Sequence, residues 1–262
     1  MEHVFSDTMS LVAKIPQEPS VRYRGLVRDR HVPTQHGLSI IDINNDDCVD
    51  TCIRIAQRYP ERRIGLLNMA SEMSPGGGVA RGAIAQEEDV CRRTTLYPTL
   101  TQQRYPLAHD ELLYTPNVKI VKGADYKRLS SFVQIAGVVS AAAIRRPTLN
   151  RFGKMNHMDV ELVKNKVRMV LETFEYHHMD HIVLGAWGCG AFRNPPNQIA
   201  AIFKETLQDF YFGHVTFAIM TPWAHDLPNI RAFVDVFAFT SDQVKDCVNA
   251  IQSVLNPLAI AR

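Results

Sequence analysis

Two adjacent carboxylates, Glu87 and Glu88, stand after three consecutive glycines, Gly76 to Gly78, separated from them by the seven residues Val79 to Ala85. Carboxyl groups suit glycosidic-bond hydrolysis, because the protonated form can supply the departing oxygen with a proton and the ionised form can activate water. Neighbouring helical residues do not share a face, so Glu87 and Glu88 cannot flank a bond from opposite sides as paired glycosidase carboxylates do. One of them would serve as acid and then base while the other fixes the sugar. A plainer reading exists: acidic side chains in the first turn of a helix complement the macrodipole, and spacing alone favours that reading.

A second cluster, Gly185, Gly188 and Gly190, mirrors the first, and Gly82 closes the earlier one, so the two loops hold half of the 14 glycines. Glycine suits sharp turns and close backbone approach to a ligand, which makes both loops candidate site walls. Neither is followed by the Lys-Ser/Thr of a P-loop, and the later cluster reverses the order of the dinucleotide fingerprint. Backbone amides gripping a diphosphate are the chemistry expected of such loops.

The elements that must position these residues can be read from periodicity. Helices are expected over Asp46–Arg58, Gln86–Leu96, Val160–Tyr176, Ile199–Phe210, Ile230–Phe237 and Asp242–Leu255. Strands are expected over Arg63–Met69, Val118–Val121, Phe132–Ala142, His181–Ala186 and Val215–Met220. This succession predicts an α/β fold with a largely parallel sheet, in which both glycine loops leave strands and open on the carboxyl edge. No linker or repeat divides residues 1–262, which read as one domain whose first 35 residues are weakly patterned and form a helical or irregular extension.

The segment Asn68-Met-Ala-Ser-Glu-Met-Ser-Pro75-Gly76-Gly77-Gly78-Val79 through Gln86-Glu87-Glu88-Asp89 resembles the signature of microbial-type poly(ADP-ribose) glycohydrolases. The similarity continues through Cys91-Arg92-Arg93-Thr94-Thr95-Leu96-Tyr97 and resumes at Gly185-Ala-Trp-Gly-Cys-Gly-Ala-Phe192-Arg-Asn-Pro195-Pro196, spanning roughly Asp42 to Phe237. The resemblance implies a macrodomain-like three-layer α/β/α sandwich with a mixed, largely parallel central sheet. It implies that Glu88 is the catalytic acid/base, that Glu87 hydrogen-bonds the ribose, and that Gln86 shapes the site. Asn68 would contact the distal ribose. Gly76, Gly77, Gly78 and Val79 would wrap pyrophosphate and ribose through their amides. Gly188, Cys189, Gly190 and Ala191 would form the facing diphosphate loop, with Phe192 packed on the terminal ribose. Asn44 and Asp46 lie where macrodomains contact adenine, although Asp46 is equally a helix-start carboxylate. The chain departs from the family at Arg145-Arg146-Pro147, where an Ala-Ala-Pro-Asn-like turn is expected, and at Ile219-Met220-Thr221-Pro222, where an acid is common.

The same resemblance implies poly(ADP-ribose) or ADP-ribosylated protein as substrate and ADP-ribose as product, with no cofactor. An ADP-ribose-binding reader without turnover, or a hydrolase of another ADP-ribosyl linkage, are the alternatives. Intact Gln86-Glu87-Glu88 speaks against a reader, which has no use for two carboxylates beside an anionic ligand.

Composition narrows the field. A formal charge of +2, from 29 Lys+Arg against 27 Asp+Glu, gives no electrostatic reason to expect a membrane or sequence-specific nucleic-acid partner. The five cysteines, Cys48, Cys52, Cys91, Cys189 and Cys247, are scattered and imply no disulfide framework, and no metal set accompanies His177, His178 and His181. Trp187 and Trp223 read as packing residues rather than base platforms. The start of the chain has neither the basic residues nor the apolar run of a signal peptide. The longest uncharged stretch, Leu129 to Ile144, is too short and polar to span a bilayer. A cytoplasmic, monomeric protein is expected.

Overall fold

The computed structural model describes residues 1–25 and 39–237, so the helix expected over 242–255 lies outside the described residues, as does Cys247. Among the described residues, seven strands form one sheet in the order β1-β4-β5-β3-β6-β7-β2. They are β1 (Val21–Arg24), β2 (Ile40–Asn44), β3 (Ile64–Met69), β4 (Glu111–Lys122), β5 (Arg128–Ala141), β6 (His181–Leu184) and β7 (His214–Ala218). β5, β3, β6, β7 and β2 run parallel, while β4 is antiparallel to both β5 and β1.

The central strands read as continuous apolar runs because both faces of the sheet are covered. Successive side chains point to opposite faces, and the two cores divide accordingly. Leu66, Val138 and Val183 join one core, with Val49 and Cys52 of α2 (Cys48–Arg58), Val90 of α3 (Gln86–Arg93), Leu96 and Leu100 of α4 (Leu96–Leu100), and Phe5 of α1 (Glu2–Val12). Leu67, Val139 and Leu184 join the other. There they meet Val167 and Phe174 of α5 (His157–Tyr176), Phe203 of α6 (Pro196–Leu207) and Phe233 of α7 (Leu227–Phe237). This is the three-layer α/β/α arrangement with a mixed, largely parallel sheet.

Several boundaries differ from the sequence reading for local reasons. The expected helix over Gln86–Leu96 breaks after Arg93, because Thr94 is extended and bridges Ile120 of β4. The Thr94 hydroxyl donates to Val90 O (2.8 Å) and accepts from Leu96 N (3.2 Å), closing α3 and starting α4. α2 begins at Cys48 rather than Asp46. Asp47 is its N-cap, its carboxylate accepting from Val49 N (2.8 Å) and Asp50 N (3.0 Å). The weakly patterned start of the chain contributes α1 and the edge strand β1. Thr8 of α1 donates to Arg92 O (2.6 Å), and Lys122 pairs with Asp7 (2.6 Å), which fastens the helix over α3 and the first glycine loop. No helix among the described residues is long and apolar enough to cross a membrane.

Candidate active site

β3 and β6 are parallel neighbours, with Gly65 opposite Ile182, so the loops that follow them emerge side by side at the carboxyl edge of the sheet. That is where ligands gather in open α/β sheets, because strand ends and their loops form a crevice there.

The first loop is folded around the two carboxylates. Gly76 and Gly77 have positive φ, +66° and +56°, a region that side-chain-bearing residues enter only with strain. A Cβ on Gly77 would stand 2.6 Å from Glu88 Oε1 and 3.2 Å from Glu87 Oε2. On Gly76 it would stand 2.7 Å from the Tyr97 ring, which itself packs edge-on against Phe5 with centroids 4.8 Å apart. The glycines are there because carboxylate oxygens and an aromatic ring occupy the space a side chain would fill.

The amides of this loop are directed differently from the expectation. Gly78 N donates to Glu88 Oε1 (2.9 Å), and a backbone bond from Gly76 reaches Glu87. Gly77 N and Val79 N close turns onto Ser74 O (3.2 Å) and Gly76 O (3.0 Å). In this structure Gly76 to Val79 therefore hold the carboxylates and their own turn rather than presenting N–H groups to a pyrophosphate.

Glu88 Oε2 also accepts from Ala85 N (3.1 Å), the returning half of a capping box; Ala85 has no side-chain oxygen to complete it. The helix-start reading is thus correct as local structure. It does not account for burial, since Glu87 and Glu88 are only 3% and 8% exposed. Carboxylates that merely complement a helix dipole remain in water.

Glu87 lies deeper and is held by more donors. Its Oε2 accepts from Ser71 N (2.7 Å) and its Oε1 from Asn68 Nδ2 (3.3 Å). Burial pushes its pKa up to about 8; the donors oppose the shift and the charge of Glu88 adds to it. Glu87 thus keeps its proton through neutral pH.

Asn68 is fully buried, and its amide donates to Glu87 and to Ser140 Oγ (3.0 Å) on the neighbouring strand β5. It stands behind Glu87 and orients it. Gln86 is a lock between helix and strand. Its Oε1 accepts from Met69 N (2.8 Å) and its Nε2 donates to Leu67 O (2.9 Å), extending β3 with side-chain bonds that fix the start of α3.

The second loop has the opposite character. Cys189 N and Arg193 N close turns onto Ala186 O (3.0 Å) and Gly190 O (2.9 Å), and Asn194 N bonds Gly188 O (3.0 Å). Among the described residues, the amides of Gly188, Gly190, Ala191 and Phe192 have no acceptor, and Gly190 and Ala191 are exposed. Such a run of open N–H groups is a ready anion cradle. Asn194 holds the loop in shape: its buried amide donates to Ile144 O (2.7 Å) and Gly188 O (3.0 Å). A Cβ on Gly188, where φ is +74°, would meet the Asn194 amide. Burial pushes the Cys189 thiol up to about 12, which makes it a packing group, not a nucleophile. Phe192 is half-buried, with the Arg145 guanidinium 5.8 Å from its ring centroid.

Asp46 is half-buried. Its carboxylate is paired with Arg54 and accepts from Asp47 N (2.8 Å) and Thr51 Oγ1 (3.4 Å), so it belongs to the start of α2. Among the described residues no cluster of His, Cys, Asp and Glu could hold a metal ion.

Residues without an assigned role in the sequence reading turn out to carry the frame. Arg92 is fully buried and donates to Val79 O (3.4 Å) and Ala83 O, tying the first loop to α3. Arg93 pairs with Asp47 (2.7 Å), Asp89 (3.2 Å) and Asp50, tying α3 to α2. The signal was present in the adjacent Arg92-Arg93 inside a segment whose neighbours Val90 and Cys91 are core residues.

Residues 12–123 match the microbial-type PARG catalytic domain, where PARG denotes poly(ADP-ribose) glycohydrolase. No curated protein sequence matches. Among solved structures, the chain resembles poly(ADP-ribose) glycohydrolase from Thermomonospora curvata bound to the inhibitor ADP-HPD, at 24% identity and TM-score 0.74. That match covers 90% of this chain and 98% of the other. It also resembles the enzyme from Deinococcus radiodurans in complex with ADP-ribose, at 27% identity and TM-score 0.70, covering 86% and 96% respectively.

Proposed function

From residues 12–123, which match the microbial-type poly(ADP-ribose) glycohydrolase catalytic domain, and a fold similar to that of the bacterial enzymes, we infer a glycosidase that hydrolyses the ribose–ribose O-glycosidic bonds of poly(ADP-ribose) and releases ADP-ribose. The observation that carries this reading is the burial of two carboxylates under a glycine loop, beside a second loop whose amides are open.

The division of labour follows from the donors around each carboxylate. Glu87 is fixed by Ser71, Asn68 and Gly76, and holds a proton at neutral pH. It is suited to binding a ribose hydroxyl and to keeping one proton within the carboxylate pair. Glu88 has one donor on each oxygen, from Gly78 and Ala85, which leaves each a lone pair for exchange with substrate. Glu88 takes up a proton as the anionic diphosphate approaches, gives it to the leaving 2′-oxygen as positive charge develops on the ribose, and regains one from the attacking water. Gly188 to Ala191 would hold the diphosphate and Phe192 the terminal ribose, so that a substrate gripped at its far end is oriented at the scissile bond. Asn68, Gln86 and the Gly76–Val79 turn act through the carboxylates they position, and Asp46 acts through α2.

The rest of the reading is a single domain over residues 1–262, working as a monomer in the cytoplasm on polymer or ADP-ribosylated protein. The four described cysteines are all free, and three of them are buried, which suits a reducing compartment. Incubation with automodified poly(ADP-ribose) and chromatography of the products tests the activity. Free ADP-ribose is the expected product; intact polymer alongside saturable ADP-ribose binding would mean a reader instead.

A further inference from the structure

The turn where the chain departs from its family leads into an unusual surface. Arg145 and Arg146 follow β5 and are exposed, and Arg146 N bonds Phe192 O (2.7 Å), which seats this segment against the open-amide loop. The chain then folds into a small hairpin, with Leu149 bridging Met155 and Asn150 N bonding Lys154 O (2.8 Å). Asn150 Oδ1 accepts from both Phe152 N (2.9 Å) and Lys154 N (3.1 Å), and Met155 N bonds Gln198 Oε1 (2.7 Å) on α6. The tip is therefore held in one shape. It presents Phe152, 71% exposed, with the Arg151 guanidinium 4.8 Å from its ring centroid.

Charge singles out this surface. Residues 128–158 contain no Asp or Glu, and neither do residues 182–204, which include the facing loop. Arg145, Arg146, Arg151, Lys154 and Arg193 make no ion pair among the described residues. In a chain of net charge only +2, a group of cations without ion pairs, set in acid-free stretches beside the open-amide loop, is a local asymmetry, not a general surface property. Cations that track phosphates, with an aromatic face for a base, are the ingredients of sites for single-stranded nucleotide polymers.

We propose that the 145–154 segment is a second subsite, which binds the phosphates and adenine of an ADP-ribose unit adjoining the one held in the cleft, and so selects polymer over single ADP-ribose. The assignment rests on the glycohydrolase reading for the identity of the polymer. Arg145 and Arg146 lie nearest the cleft, where a diphosphate leaving the second loop first meets the surface. Arg151, Phe152 and Lys154 lie further out, on the hairpin.

The test uses the full chain and three probes: fluorescently labelled long-chain poly(ADP-ribose), ADP-ribose, and a single-stranded oligoadenylate. Glu88→Gln serves as the background in which polymer is not consumed. Adding Arg151→Ala, Phe152→Ala and Lys154→Ala should weaken polymer binding about tenfold, the scale of one lost stacking contact. ADP-ribose binding should be unchanged, and the salt dependence of polymer binding should become shallower. A second variant, Arg151→Glu with Lys154→Glu, should weaken polymer binding further if charge is the cause. Equal polymer affinity with and without the hairpin substitutions overturns the proposal. Oligoadenylate that binds the intact hairpin as tightly as the polymer also overturns it, because the surface would then be a general nucleic-acid one. If the unsubstituted chain leaves polymer uncut, the glycohydrolase reading fails, while the binding contrast still decides the subsite.

Discussion

At the scale of single residues, Glu88 and Glu87 are adjacent in sequence and unequal in environment. Glu88→Gln should lower single-turnover cleavage by on the order of 10²–10⁴, the usual contribution of a positioned proton-transfer group. ADP-ribose should still bind in calorimetry, since the amide keeps the shape and removes a negative charge near the ligand. Retained cleavage would remove Glu88 from the mechanism. Glu87 offers a separate readout in stability. Its folded-state pKa, about 8, lies above the unfolded value of 4.5, so between those limits the native state holds a proton that the unfolded chain has lost. Stability from this group is therefore fully present below about pH 4.5 and declines as pH rises towards 8. Glu87→Gln, which cannot ionise, should flatten that decline; melting temperatures of both proteins across pH 5–9 make the comparison. Parallel curves would mean that Glu87 is ionised in the native state.

At the scale of elements, the first glycine loop and α3 form one device. α3 delivers the carboxylates, and the loop closes on them because its glycines have no side chains to obstruct the approach. Gly77→Ala would place a methyl 2.6 Å from Glu88 Oε1 at a φ of +56°. The strain should cost about 1–3 kcal/mol of stability, read as a lower urea midpoint. Displacing Glu88 should cost turnover on the order of 10²-fold, out of proportion to the loss of stability. A fully active Gly77→Ala protein would show that the close approach of loop and carboxylate is dispensable. The second loop differs: Asn194 and the Gly188 turn hold its shape, while the amides of Gly188, Gly190, Ala191 and Phe192 have no acceptor among the described residues.

At the scale of the whole molecule, the sheet brings the two loops together by placing β3 beside β6, although their sequences are more than a hundred residues apart. A ligand that bridges both loops should stabilise the fold by mass action. ADP-ribose should therefore raise the melting temperature more than AMP, which lacks the second phosphate and the distal ribose. Equal shifts in a thermal titration would show that the second loop does not bind a diphosphate. The same scale decides what surrounds Asn68 and Asp46. Asn68 and Asp46 stand at the ends of β3 and β2, where the sequence marks a site edge. Asn68 is covered by Glu87 and Ser140, and Asp46 is claimed by Arg54, contacts that depend on which elements pack above each strand end.

The sequence by itself determined the α/β architecture, because apolar runs and helical stripes are local patterns that fix which faces must be buried. It also determined the carboxylate pair and the two glycine loops, because their residue types are restricted by chemistry and by φ. Tertiary structure decided what each group faces. Whether an amide is open or already bonded, as between Gly190 and Gly78, depends on a partner brought from elsewhere in the chain. So does the raised pKa of Glu87, which comes from the layers that exclude water around it. The roles of Arg92 and Arg93 were likewise invisible in one dimension, since a buried guanidinium is defined by the carbonyls and carboxylates that surround it.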